Sequence, residues 1–264
     1  MTRRRLDAEL VRRGLVADRA EAERAVLSGL VTIGGAPASK PATLVATEVA
    51  LSVRRGDRRF VSRGGEKLAA ALERSRVDPQ GLDCLDAGAS TGGFTDCLLK
   101  AGAARVIAVD VGYGQLAWGL RSDPRVIVLE RTHVRDLDPT TLPFAPSLVV
   151  ADLSFISLSL AIPALSTVAS EAATFILLVK PQFEASAAEV QAGGVVRDTE
   201  VWRSTIERVA GSCERSGLGV LAVGASPILG PAGNVEFWLH AVSGSASRRF
   251  GLDAAIDEAR ESGP

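Results

Sequence analysis

Aromatic residues make up only 5% of this 264-residue chain, which has one tyrosine, one methionine, two histidines and three cysteines. His133 and His240 lie far apart, and no C-x-x-C pair exists, so no ligand set has the spacing of a structural zinc site and no metal is expected. Three cysteines (Cys84, Cys97, Cys213) cannot build a disulfide framework. They read as buried free thiols of a cytoplasmic, reducing compartment. An apolar h-region is missing after Thr2-Arg3-Arg4-Arg5, so no secretory signal is expected. Long hydrophobic runs are missing too. Residues 153–169 carry no charge, but Ser154, Ser157, Ser159, Pro163, Ser166 and Thr167 interrupt them. A spanning helix needs about 20 predominantly apolar residues, so this stretch reads as a strand-end loop followed by a helix on a sheet. Net charge is also nearly absent, at −1, but it is unevenly spread. Residues 1–63 hold 13 Lys/Arg against 7 Asp/Glu, and the remainder holds 17 against 24. A basic block on a mildly acidic body suits an anionic partner.

What is present centres on Asp86-Ala87-Gly88-Ala89-Ser90-Thr91-Gly92-Gly93-Phe94. A short apolar run precedes this glycine-rich turn and a helical pattern follows it, which aims backbone N–H groups and a helix N-terminus at a ligand. Arg105-Val106-Ile107-Ala108-Val109-Asp110 is a second buried strand, and its terminal acid is placed to accept from a ribose diol. A dinucleotide fingerprint wants glycine where Ser90 stands. With Asp86 in the strand end, able to help hold an ammonium group, the turn fits S-adenosylmethionine better.

From residue 84 onward, strand patterns at 84–88, 105–110, 126–130, 147–152, 174–180, 219–225 and 234–242 alternate with helical ones near 93–101, 115–121, 156–169 and 199–216. The alternation predicts an α/β fold, a Rossmann-like doubly wound sheet whose ligands bind at the strand tips. Asp152 and Lys180 each end an apolar run, Glu236 interrupts one, and Lys67 sits in the first turn of a strong helix, where the dipole disfavours a cation. These four charges balance in sign and flank the proposed pocket. Their alternative is a pair of structural ion pairs. The glycine-containing loop after Lys180, through Gly193-Gly194-Val195, is expected to move over a substrate.

Ahead of the sheet, Leu6, Leu10 and Leu15 share one helical face with Gly14 as its cap, and a second helix runs from Arg19 to residue 28. A short strand, 30–33, then meets the hairpin signal Gly34-Gly35. Arg5-Leu6-Asp7, Gly14-Leu15, Arg19, Gly29-Leu30-Val31, Ile33-Gly34-Gly35 and Lys40-Pro41 make this succession resemble the S4 RNA-binding domain, a small α+β unit over 1–57. Arg5, Arg19, Arg24 and Lys40 are its candidates for phosphate contact. Otherwise they pair with Asp7, Glu21 and Glu23 and merely solvate. Residues 58–63 read as a linker and 64–264 as the second domain.

Along its length the chain resembles the TlyA-type ribosomal RNA 2′-O-methyltransferases, an S4-like domain before an FtsJ-like methyltransferase domain. The carrying residues are Ser62-Arg63-Gly64-Gly65-Glu66-Lys67-Leu68, the turn 86–95, Asp110-Val111-Gly112-Tyr113-Gly114-Gln115-Leu116, Glu130-Arg131-Thr132, Ala151-Asp152-Leu153-Ser154-Phe155-Ile156-Ser157, Lys180-Pro181-Gln182-Phe183-Glu184 and Gly233-Asn234-Val235-Glu236. The resemblance implies a Lys-Asp-Lys-Glu catalytic tetrad on Lys67, Asp152, Lys180 and Glu236. It implies S-adenosylmethionine held by Asp86, Gly88, Ser90, Thr91, Gly92, Gly93, Phe94, Asp110, Val111, His133 and Asp152. Arg63 and Arg131 join the RNA-facing arginines, and the implied partner is ribosomal RNA, a cytidine of the 16S or 23S molecule, in 30S or 50S subunits. The chain departs from the family at Phe60, where the linker usually carries Trp, and at His133, where Asn is expected. Competing classes are an RNA-binding protein with an inactive methyltransferase fold, a haemolysin-like membrane-active protein, and a nicotinamide-dependent oxidoreductase, which lacks its glycine at Ser90.

Overall fold

The computed structural model describes residues 3–16, 18–27, 29–53, 59–191, 193–248 and 250–262, and the chain divides into two units, Met1–Arg58 and Arg59–Pro264. The first holds β1 (Arg3–Arg5), α1 (Leu6–Arg12), α2 (Arg19–Leu27), β2 (Val31–Ile33), β3 (Ala36–Pro37), β4 (Leu44–Ala46) and β5 (Leu51–Val53). β1 pairs antiparallel with β4, and β2 lies between β3 and β5. Ile33 faces Ala36 across Gly34-Gly35, both at positive φ, which is the two-residue hairpin that Gly-Gly favours. Leu6, Leu10, Ala22, Val26, Val31 and Val45 close this unit's own core. Leu15 does not share the helix face expected of it. α1 stops at Arg12 and Gly14 turns left-handed at φ 66°, so Leu15 reaches the core from the following turn. Of the residues read as a linker, Arg58 lies outside the described residues. Phe60 packs inside the second unit, 3% exposed, filling the space a Gly65 Cβ would take.

The second unit runs α3 (Gly64–Ser75), β6 (Asp83–Ala87), α4 (Gly93–Lys100), β7 (Arg105–Val109), α5 (Trp118–Arg121), β8 (Val126–Leu129), β9 (Leu148–Ala151), α6 (Leu158–Val168), β10 (Thr174–Val179), α7 (Pro181–Glu184), α8 (Thr199–Arg215), β11 (Leu218–Ala225), β12 (Phe237–Ser243) and α9 (Leu252–Ser262). Its seven-stranded sheet has the order β11-β12-β10-β9-β6-β7-β8, parallel except for β12. Alternate residues serve opposite faces, as the two-residue strand period requires. Leu85, Ile107, Val149 and Leu177 pack under α6 and α8, while Cys84, Val106, Val150 and Ile176 pack under α3 and α4. Each fully buried aliphatic chain contributes roughly 1.5–3 kcal/mol, so both faces stabilise the sheet that carries the site.

Local chemistry moves several boundaries. The strand expected over 234–242 begins at Phe237, because Asn234 spends its amide on the Val196 N–H (2.9 Å) and the Gly194 carbonyl (2.8 Å) rather than on a strand neighbour. The helix expected from 115 begins at Trp118, since Ser90 donates to the Gln115 side chain at 3.4 Å and the Ala117 N–H is taken by Thr91 O. α6 tolerates Pro163 in its interior. A proline there leaves the carbonyl four residues back without its partner, and Ser212 Oγ of α8 donates to that Ser159 carbonyl at 3.1 Å.

Candidate functional site

Strand order reverses between β6 and β9: β6, β7 and β8 step to one side, β9 and β10 to the other. Crevices for ligands open at the carboxyl ends of strands at such a point, and the glycine turn after β6 lies there. Gly88 has φ +87°, and a Cβ on it would stand 2.7 Å from the Asp152 carbonyl oxygen, so the β6 and β9 tips approach as only glycine permits. Gly93 opens α4, where a Cβ would meet Ser62 Oγ at 2.1 Å. Ser90, exposed at φ 49°, and exposed Thr91 lie between them. Phe94 is buried beside Gly64.

Asp110 orders this turn from the tip of β7. Its Oδ2 accepts the Ser90 N–H at 2.8 Å and its Oδ1 the Gly112 N–H at 2.7 Å. A pocket lies beside it, lined by Ala89, Ser90, Asp110, Gln115, Leu116 and Glu130 among others. Val111 is 65% exposed next to it. His133 Nδ1 accepts the Arg135 N–H at 3.1 Å, capping a short 3-10 turn over Val134–Asp136.

Asp86 is fully buried. Its Oδ2 accepts from Thr95 Oγ at 2.6 Å, whereas Oδ1 has no partner among the described residues. Burial pushes this carboxyl up to about 7 despite the hydrogen bond from Thr95. An orphaned buried acceptor of this kind calls for a donor. Together with a ribose-type acid and a glycine cradle, it fits S-adenosylmethionine, which brings an ammonium group and a ribose diol. Thr95 stands in the motif of the turn without an assigned role; its signal is a lone hydroxyl on an otherwise apolar helix face behind an acid.

Asp152, Lys180 and Glu236 stand at neighbouring strand ends, and Lys67 reaches Glu236 from the first turn of α3. Val179 pairs with Phe237, so Lys180, just past β10, and Glu236, just before β12, extend that register side by side. Asp152 follows β9, the other neighbour of β10. Lys67 Nζ donates to Glu236 Oε2 at 2.5 Å, with side-chain exposures of 8% and 1%. Lys180 Nζ lies 2.6 Å from Asp152 Oδ1, an ion pair by distance without hydrogen-bond geometry at that oxygen, and donates to Ser154 Oγ at 3.0 Å. Buried charges need such partners, since an uncompensated one costs several kcal/mol. A Cβ on Gly230 would stand 2.6 Å from Glu236 Oε1, which leaves that position to glycine. Ser154 is a second motif residue without an assigned role; its signal is a hydroxyl two residues past the strand-tip acid.

The segment after Lys180 carries local structure on either side of residue 192. Residues 181–184 form α7, Gln191 bridges Val195, and Asn234 ties Gly194 and Val196. Among the residues read as RNA-facing, Arg24, Lys40, Arg63 and Arg131 are exposed. Arg63 donates to the Leu229 carbonyl at 3.4 Å, and the Arg131 guanidinium lies 4.3 Å over the Tyr113 ring. Arg5 and Arg19 both pair with Asp7, at 2.7 and 3.2 Å. Among the described residues, no cluster of three or more metal-ligating side chains occurs and no helix is long and apolar enough to cross a membrane.

A glycine turn and an acid at the switch point of a doubly wound sheet define a protein built around a nucleoside ligand, and comparison with known proteins narrows the class. Residues 60–242 match the FtsJ-like methyltransferase family and residues 4–50 the S4 domain. The 16S/23S rRNA (cytidine-2'-O)-methyltransferase TlyA of Mycobacterium tuberculosis is 50% identical over 265 residues, covering 99% of each chain. YqxC of Bacillus subtilis, described as a candidate rRNA methyltransferase, is 42% identical over 89% of this chain and 84% of its own. A structure described as a candidate hemolysin from Streptococcus thermophilus is 35% identical, with a TM-score of 0.82 over 99% of this chain and 97% of that one. The chain belongs to the TlyA group of FtsJ-like methyltransferases, with an S4 domain at its N-terminal end.

Proposed function

We propose that this protein is a cytoplasmic enzyme that methylates a ribose 2′-hydroxyl of ribosomal RNA, at a cytidine of the 16S or 23S molecule, using S-adenosylmethionine. The observation that carries the reading is the pair of lysine–carboxylate contacts, Lys67–Glu236 and Lys180–Asp152, on strand ends adjoining the glycine turn. The printed names of the M. tuberculosis and B. subtilis relatives favour ribosomal RNA as substrate. The S4 domain favours an RNA partner, met as 30S or 50S subunits and gripped by Arg5, Arg19, Arg24, Lys40, Arg63 and Arg131.

When bound, S-adenosylmethionine supplies an electrophilic methyl on a sulfonium centre. Asp110 would hold its ribose, the Gly88–Phe94 turn and Val111 would line the adenosyl side, His133 would offer its backbone to the base, and Asp86 Oδ1, which has no partner among the described residues, would take the ammonium. A 2′-hydroxyl is a weak nucleophile, and the chain's task is to place it in line and manage its proton. Lys180 stabilises the developing oxyanion and, when neutral, accepts the proton. Asp152 and Ser154 fix where its Nζ stands. Lys67, neutralised by Glu236, adds a positive field without an unpaired buried charge.

Tritium transfer from labelled S-adenosylmethionine to purified 30S and 50S subunits tests the reading. Label is expected in at least one particle and absent with Lys180→Ala. Cofactor binding without transfer to either particle would support the inactive-fold alternative instead.

A further inference from the structure

We propose that Glu184 is a positioning residue for Lys180, closing a ring of contacts that holds the lysine ammonium against Asp152 and Ser154. The inference rests on the role of Lys180 proposed above. Glu184 is a buried carboxylate, 6% exposed, that the methyl-transfer scheme does not use. Its Oε2 accepts from Ser157 Oγ at 2.5 Å and its Oε1 accepts the Leu158 N–H at 2.6 Å. Among the described residues no cation bonds to its carboxylate; the Arg208 guanidinium donates to its backbone carbonyl instead.

These contacts complete a circuit. From Lys180 the chain runs through the single turn of α7 to Glu184, whose carboxylate grips Ser157 and Leu158 at the head of α6. From Ser157 it leads back three residues to Ser154, whose Oγ accepts from Lys180 Nζ. Phe183 lies inside the circuit, its ring centroid 5.7 Å from Lys180 Nζ and 5.3 Å from that of Phe155. Phe155 is 93% exposed at φ 65°, a strained conformation for an aromatic residue that persists only where its surroundings hold it.

A helix cap alone does not require a carboxylate from the next strand's end. Ser157 caps α6 locally by accepting the Ser159 N–H at 3.1 Å, while the buried Leu158 N–H has Glu184 as its partner. A carboxylate brought from the next strand's end, with its burial opposing its charge, instead joins the two segments that carry Asp152, Ser154 and Lys180. An error of an ångström in a reacting group costs up to about a hundredfold in rate, which gives this rigidity its use.

The test compares Glu184→Gln, Ser154→Ala, Ser157→Ala and the Glu184→Gln/Ser154→Ala double variant in tritium transfer from S-adenosylmethionine to 30S and 50S subunits, with kcat measured across pH. Each single change is expected to lower kcat by about tenfold or more and to move the midpoint of the pH–rate profile, leaving KM for the subunits within about twofold. The double variant should be no worse than the poorer single one, because one broken ring cannot be broken again. Ser154→Thr, which keeps the hydroxyl, should recover activity. If Glu184→Gln lowers Tm but leaves kcat and the pH midpoint at wild-type values, Glu184 is only a cap and the inference falls. Losses that multiply in the double variant overturn it equally. Should Glu184→Gln not fold, Ser154→Ala, at an exposed position, and Ser157→Ala decide by the same readouts. A wild-type protein that transfers no label to either particle defeats the proposed function itself, a result distinct from unaffected variants beside an active wild type.

Discussion

In the N-terminal unit the buried carboxylates of Asp7 and Glu9 each meet two arginines, while in the C-terminal unit Glu236 and Asp152 each meet one lysine. The arginine sets are local. Arg12 and Arg13 reach Glu9 from three and four residues along the chain. The Lys67–Glu236 pair joins residues 169 apart. Arginine keeps its charge and binds a carboxylate with a rigid fork, whereas a lysine ammonium can give up its proton when its surroundings require it. The first arrangement suits a fixed basic face and the second suits proton chemistry. Asp86 completes the contrast. Arg5 holds the Asp7 carboxyl down at about 2, and Arg12 and Arg13 hold that of Glu9 at about 2, whereas burial drives Asp86 up to about 7. A carboxylate's neighbours, not its residue type, decide whether it is scaffold or site.

The sharpest way to break the comparison is Lys180→Ala. Methyl transfer to ribosomal subunits should fall by about 10²–10⁴-fold, as for loss of a general acid–base group, with a smaller loss of stability than at Lys67 because the Asp152 side chain is 21% exposed against 1% for Glu236. Lys67→Met comes next. Glu236 is left buried without a cation, and chemical denaturation should show a loss of about 3–5 kcal/mol. Adding Glu236→Leu should restore most of that stability and none of the activity. Recovery of activity in that double variant would make Lys67–Glu236 a structural pair like the arginine sets.

A smaller effect is expected at Asp86. A carboxyl raised in the fold contributes stability that is fully present below its ordinary value of 3.8 and lost as pH rises through about 7. Asp86→Asn should therefore melt a few degrees above wild type in alkaline buffer and alike in acid, while calorimetry shows S-adenosylmethionine binding weakened about tenfold. The smallest effect belongs to the N-terminal unit. Asp7 and Glu9, held low by their arginines, contribute stability present above their ordinary values of 3.8 and 4.5 and lost as pH falls through about 2. Hydrogen exchange of residues 5–53 should accelerate only in that acid range, and less in Glu9→Gln than in wild type.

Much of the fold was legible because it depends on periodicity. The buried strands of the parallel sheet read as continuous apolar runs, and every one of them ends within about two residues of its expected place. Boundaries failed where the chain ahead of an element is held by distant partners: the Ala117 N–H goes to the Thr91 carbonyl ahead of α5, and the Asn234 amide bridges Gly194 and Val196 ahead of β12. Strand-tip charges stood out as acids or lysines after apolar residues. Ser154, Thr95 and Glu184 lie in the motifs that carry the resemblance but have no role assigned by the sequence, since a hydroxyl or a carboxylate is ordinary until its partner is known.

By itself the sequence determined that the chain builds a small basic unit and a Rossmann-like sheet with a glycine turn, because apolar spacing and turn chemistry act over a few residues. Only the tertiary structure decided that Lys67 meets Glu236 and Lys180 meets Asp152, rather than the reverse. Strand order sets Lys180 beside both Asp152 and Glu236, and Lys67, reaching in from α3, takes Glu236 and leaves Lys180 to Asp152; where α3 lies on the sheet is set by packing over the whole unit.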